Sequence, residues 1–161
     1  MAERRMTSEG IFAPKEDNST EISQFRTISL LNVEGKIFLS VLVRRLTKFL
    51  LRNKYIDTPV QKGGIPGVFG CIEHTSVITQ IIKEARQNKG VLAVIWLDLA
   101  NAYGTRPHKL VELTHARNHV PEKFRSLIQD NYARFNMRLT VNGYKTTLQR
   151  LDIGIITGCT I

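Results

Sequence analysis

The apolar run VLAVIWL, residues 91–97, ends at a carboxylate, Asp98, and Tyr103 stands five residues further on. A carboxylate at the tip of a buried strand is held rigidly and still reaches solvent. Phosphoryl transfer with two divalent ions needs such positions, because the ions must be fixed against an attacking and a leaving oxygen. Magnesium takes hard oxygen ligands and usually draws one or two carboxylates from the protein. The small Ala100 and Ala102 flank this segment and leave room for a bulky ligand near the backbone. Taken alone, Asp98 is better explained as a residue that merely caps the next turn.

The elements that would position Asp98 follow from periodicity. Residues 91–98, apolar without alternation, predict a strand buried on both faces in a covered sheet. Before it, GKIFLSVLVRRLTKFLLRN predicts an amphipathic helix with Ile37, Val41, Leu42, Leu46, Phe49 and Leu50 inward. The glycine-rich QKGGIPGVFG then reads as a loop. A second helix is expected over about 71–88, with Ile72, Ile78, Ile81, Ile82 and Ala85 inward and Gly90 as its stop. Pro107 and Pro121 each open a helix, to about Asn118 and Phe135. In MRLTVNGYKTTL, Asn142 and Gly143 supply the two positive-φ positions of a hairpin. Residues 1–24 form a polar tail, extended in part near IFAPK, and 151–161 a further strand or turn. Without repeats or a linker, the chain reads as one α/β (α+β) unit.

The 161 residues carry a net charge of +9, concentrated at 36–62 and 99–150. Such an excess points to a polyanionic partner, nucleic acid first and an anionic membrane second. For the basic helix at 36–52, core packing explains the apolar stripe better than a membrane surface does. Two distant cysteines, Cys71 and Cys159, suggest free thiols in a reducing compartment. The N-terminus lacks the apolar core of a signal peptide, and the longest apolar run is far below the ~20 residues that cross a bilayer. The expectation is an intracellular protein, nuclear or cytoplasmic.

The segments FRTISLLNVEGKIFLSVLVRRL, VQKGGIPGVFGCIEHTSVITQII, DLANAYG and GIITGCTI occur in an order that resembles the reverse transcriptases of non-LTR (LINE-like) retrotransposons. The resemblance runs from about Ile11 to Ile161. It implies the fingers and partial palm of a right-hand polymerase, truncated before the Y-x-D-D motif and the thumb: 1–24 an extension or start of the fingers, 25–90 fingers, 91–161 partial palm. The implied activity is RNA-directed DNA synthesis from deoxynucleoside triphosphates on an RNA template and DNA primer, with two Mg²⁺ ions. No protein partner is inferable, and no membrane partner is expected.

By the same resemblance, Asp98 is the catalytic metal-binding aspartate, with the main chain of Leu99 beside it. Tyr103 is the steric gate against a ribose 2′-hydroxyl; the alternative is an ordinary half-buried tyrosine. Arg26 reaches the nucleotide triphosphate, which a planar, permanently charged fork suits; the alternative is a surface strand arginine. Lys15 is a further candidate for that anion. Lys36, Gln61, Gly63 and Gly158 fall to the template and Gly154 to the nucleotide, the last two glycines letting the backbone approach the templating pair.

Departures from the family pattern are explicit. Thr27 replaces a usual proline, Arg106 an apolar residue, and Ile153 a usual Gln or Lys. The paired aspartates of Y-x-D-D are not among these residues. A fragment with one site carboxylate is expected to be inactive by itself, and a non-catalytic nucleic-acid binder or decayed retroelement remnant is the alternative. Other signals are weak. His115 and His119 lie four apart without a third zinc ligand. The glycines lack a G-K-[ST] ending, and His74 and Ser76 lack a nucleophile elbow.

Overall fold

The computed structural model describes residues 6–99 and 101–156. They form two units, one from residues 6–49 and 101–156 and the other from 50–99. Secondary structure is mixed, with four α-helices, a short 3-10 helix (Ile22–Gln24) and one small sheet among the described residues, as in α+β proteins.

In the first unit, β1 (Thr7–Pro14) pairs antiparallel with β2 (Phe25–Leu31) in the register Gly10–Ser29. On its other edge β1 runs parallel to β3 (Asn136–Val141), with Gly10 opposite Leu139. The N-terminal tail is therefore an interior strand, which a polar composition did not announce. Gly10 makes this crossing close: a Cβ there would stand 2.8 Å from Leu139 Cδ2, a side-chain end that would have to shift.

After β3 the chain turns through Asn142 and Gly143, at φ 50° and 84°, into β4 (Tyr144–Lys145). These two positive values are the hairpin geometry expected of an Asn-Gly pair. β4 continues toward β5 (Gln149–Arg150), which also pairs with β3. Thr140 faces Lys145, but Met137 faces Gln149, so the returning strand holds one extra residue at 147–148. That is a β-bulge, which bends an edge and raises its twist.

α1 (Val33–Arg52) begins at Asn32, whose Oδ1 accepts from the Gly35 N–H at 2.7 Å. Its buried stripe is Gly35, Leu39 and Leu42, while Ile37 and Val41 face solvent, against the expected inward set. Apolar positions are plentiful enough on this helix to draw two stripes, and the core took the one that meets α4. Leu39 and Leu42 join Leu31, Ile128, Tyr132, Phe135 and Ile156 in one cluster. α3 (His108–Arg117) and α4 (Glu122–Ala133) each start one residue after their proline, as its fixed φ allows.

The second unit holds the last residues of α1, a glycine-rich loop and α2 (Ile72–Gln87). Gly64, Gly67 and Gly70 all have positive φ, a conformation glycine adopts without strain. Lys62 and Glu73 pair at 2.5 Å, and His74 Nε2–H donates to Val60 O at 2.9 Å, tying the loop to the helix. On α2, Ile78, Ile82 and Ala85 are partly covered, whereas Ile72 and Ile81 are exposed.

Three helices end in the same way. Lys54, Lys89 and His119 adopt φ of 57°, 48° and 52° just past α1, α2 and α3. In each case the next N–H reaches back to the third residue from the helix end: Tyr55 to Leu50, Gly90 to Ala85, Val120 to His115. This is the Schellman closure, with a side chain where glycine is the usual occupant. Gly90 thus follows the left-handed position instead of filling it.

Candidate functional site

Residues 91–99 do not form the expected strand. They carry no regular secondary structure, and Val91, Ile95, Trp96 and Leu97 are largely exposed. An apolar run specifies burial, but a strand also needs a neighbour to accept its ladder of hydrogen bonds. Among the described residues no strand pairs with this segment. Asp98 and Leu99 are exposed here, and Asp98 forms no ion pair or side-chain hydrogen bond with the described residues.

The structure brings Tyr103 and Gly154 together. Ile155 N–H donates to Tyr103 O at 2.8 Å, and Gly154 N–H to Arg106 O at 2.9 Å. Pro107 and Ile153 continue this contact as an antiparallel bridge. From α3, His108 Nε2–H donates to Gly154 O at 2.9 Å, while its ring packs on Tyr132 at 4.5 Å between centroids. Gly154 has φ +95°, and a Cβ there would stand 2.9 Å from Gly104 O. Only glycine fits this close approach. The Tyr103 ring stays exposed, so its place is set by the backbone lock and not by packing. Arg106 closes the turn by donating Nε–H to Ala102 O at 2.8 Å, which accounts for a charged residue at a position expected to be apolar. His108 is the member of this cluster that sequence reasoning missed; its position directly after Pro107, at a helix start, was the available signal.

Arg26 and Lys15 lie at one end of the β1–β2 ladder. Arg26 pairs with Ala13, and Lys15 N–H donates to Gln24 O. Because side chains alternate along a strand, Arg26 shares the outer face of β2 with Ile28 and Leu30, opposite the buried Ser29 and Leu31. Lys15 Nζ donates to Ser23 O at 2.7 Å. Gln61 and Gly63 meet in the second unit, where Gln61 Nε2–H donates to Gly63 O at 2.8 Å. Gly158 lies outside the described residues, as does Ala100.

Lys36 is exposed in the first turn of α1. Further along, Arg44, Arg45, Lys48 and Arg52 are exposed and, among the described residues, form no ion pair. At 3.6 residues per turn these four fall within an arc of about 100° and span about 12 Å of helix. A row of unpaired cations at that spacing suits a phosphate backbone. A smaller charge centre sits on the sheet: Glu9 accepts from the Thr140 hydroxyl and lies 3.4 Å from Lys145 and 3.6 Å from Arg138. The Thr140 bond first, then the two cations, hold the Glu9 carboxyl below its ordinary pKa.

Other signals resolve as structure. His119 lies beyond the end of α3, so it shares no helix face with His115. Ser76 Oγ–H donates to Ile72 O within its own helix. Among the described residues no three His, Cys, Asp or Glu side chains cluster as a metal site. No described helix is long and apolar enough to cross a membrane.

The fold and the basic helix describe an α+β protein with a cationic face. No protein-family profile matches the chain. The chain is similar, at 27% identity over 138 residues, to the retrovirus-related Pol polyprotein from the type-1 retrotransposable element R2 of Nasonia vitripennis. The aligned segment is 86% of this chain and 13% of that polyprotein, so the similarity is to a short stretch of a retrotransposon-related protein.

Proposed function

We propose that these residues are the fingers and upper palm of a retroelement RNA-directed DNA polymerase, the part that receives template and incoming nucleotide. The observation that carries this is the similarity to a retrotransposon Pol polyprotein over 86% of the chain, taken with the segments that occur in order around DLANAYG. The Tyr103–Gly154 lock supports it, since two segments distant in sequence and both assigned to the nucleotide by resemblance are joined by backbone hydrogen bonds. In this reading Asp98 is one ligand of a two-magnesium site whose other acids come from a Y-x-D-D motif. The 161 residues by themselves therefore extend no primer.

A second reading, nucleic-acid binding without catalysis, is favoured by Asp98 standing in a segment without a ladder partner while α1 displays four cations outside any ion pair of the described residues. Both readings require phosphate contacts. Fluorescence anisotropy of a labelled RNA–DNA hybrid with the 161-residue chain tests them together. Affinity should fall linearly on a log–log salt plot, with a slope of about −0.7 to −0.9 per phosphate contacted. Arg44→Gln with Lys48→Gln should reduce that slope by about 1.5 to 2. Binding that ignores salt, or that survives the double substitution unchanged, contradicts both. Magnesium-dependent incorporation by a longer polypeptide that restores Y-x-D-D separates the first reading from the second.

A further inference from the structure

α3 and α4 pack against each other, and between them and β5 lies a hollow of about 210 Å³. Its lining includes His108, Lys109, His115, Arg125, Gln129 and Arg150. The volume is several times a water's ~30 Å³ share of liquid, yet below the ~300–1,000 Å³ of pockets for drug-sized ligands. The hollow is therefore sized for a single small group.

Its charge is positive. Glu112 is the carboxylate in the lining, and Lys109 pairs with it at 2.8 Å, holding it below its ordinary pKa. Arg150 pairs with the exposed Asp152 at 3.2 Å. Arg125 is different: it is partly buried, and its Nε–H donates to Val120 O at 3.1 Å, which anchors the guanidinium without neutralising it. Glu112 lies near enough to feel the Arg125 charge, but Arg125 has no ion-pair partner among the described residues. Beside it, burial first and then the Arg125 charge hold His115 below its ordinary pKa. His108 Nε2–H is committed to Gly154 O, which leaves Nδ1 without a proton in the neutral ring. A partly buried arginine outside any ion pair disfavours its own site until an anion arrives.

We propose that this hollow binds a phosphate group, with Arg125 as the principal contact and His115 and Arg150 flanking it. A guanidinium presents parallel N–H donors that match two phosphate oxygens, and the anchored Nε keeps that fork in place. An arriving anion reverses the field at His115, which then holds a proton and donates to the phosphate. The inference is independent of the polymerase reading, because none of these residues carries a role in it. A terminal phosphate and an internal phosphodiester share the chemistry, and the test separates them.

The experiment is a titration of the full 161-residue chain with inorganic phosphate at constant ionic strength, following the His115 ring signals by NMR. Saturable movement is expected, together with a higher His115 titration midpoint in phosphate than in chloride. Arg125→Gln should weaken binding about tenfold, the worth of one charge-assisted hydrogen bond, and Arg150→Gln about threefold. Should Arg125→Gln fail to fold by circular dichroism, the exposed Arg150→Gln decides. A short oligonucleotide without terminal phosphates that competes identifies a phosphodiester, and competition by its 5′-phosphorylated form alone identifies a terminal phosphate. Movement that never saturates, equals that in chloride, or is unchanged in Arg150→Gln overturns the proposal.

Discussion

Gly154→Ala should unfold the lock that holds Tyr103. The new Cβ would stand 2.9 Å from Gly104 O, a backbone atom that cannot rotate away, and 3.3 Å from Gly104 C and Cα. The φ of +95° adds a left-handed penalty of about 1–2 kcal/mol for any side chain. Relieving the contact costs roughly another 1–3 kcal/mol, by analogy with an overpacked core. Stiffening of the unfolded chain returns about 0.4–1 kcal/mol. The net loss is about 2–4 kcal/mol, large against the ~5–15 kcal/mol of a whole domain. Urea unfolding followed by far-ultraviolet circular dichroism reads it directly. With a slope of about 2 kcal/mol per M, the midpoint should fall by about 1–2 M. Gly63→Ala is the control, because its nearest neighbour would be the Gln61 Nε2 side-chain end at 3.7 Å and its φ is not positive. Its midpoint should stay or rise slightly. Equal midpoints for Gly154→Ala and wild type would refute the lock.

Three further outcomes follow from the same geometry. Lys54→Gly, Lys89→Gly and His119→Gly should each stabilise by about 0.5–1 kcal/mol, since the left-handed penalty exceeds the added freedom of the unfolded chain; a midpoint drop in all three would show that these side chains hold their turns. Trp96, the sole tryptophan and largely exposed, should emit like free tryptophan and be quenched readily by acrylamide, whereas a blue-shifted, protected signal would restore the buried strand. The Glu9 carboxyl, held below its ordinary 4.5, stabilises the fold above that value and loses this contribution as pH falls through the folded-state pKa, so Glu9→Gln should flatten the acid limb of the stability curve. An unchanged acid limb would remove Glu9 from the sheet's charge centre.

Much of the first unit was legible because local chemistry sufficed. Prolines 107 and 121 started α3 and α4, and Asn142–Gly143 made the hairpin turn. Non-local pairing was not legible. Nothing in TSEGIFAP says that it lies between two strands, and a run such as 91–98 states a wish for burial without naming a neighbour. The helix ends near Asn88 and Asn118 fall where the sequence puts them, but Lys89 takes the left-handed position beside Gly90 because the Schellman hydrogen bonds hold it there. For the candidate site, the sequence pointed to Tyr103 and Gly154, which the backbone joins, but not to His108, whose contribution arises only once residue 154 lies against α3.

The proposed function rests on Asp98 as one ligand of a two-metal nucleotidyl-transfer site. Primer extension on an RNA template with Mg²⁺ reads that role, using a chimera that joins these 161 residues to the Y-x-D-D palm segment and thumb of a non-LTR reverse transcriptase. Incorporation should occur and fall at least about 100-fold in Asp98→Asn, as removal of a metal ligand worth several kcal/mol of barrier demands. Incorporation that proceeds equally well in the Asp98→Asn chimera would contradict the assignment.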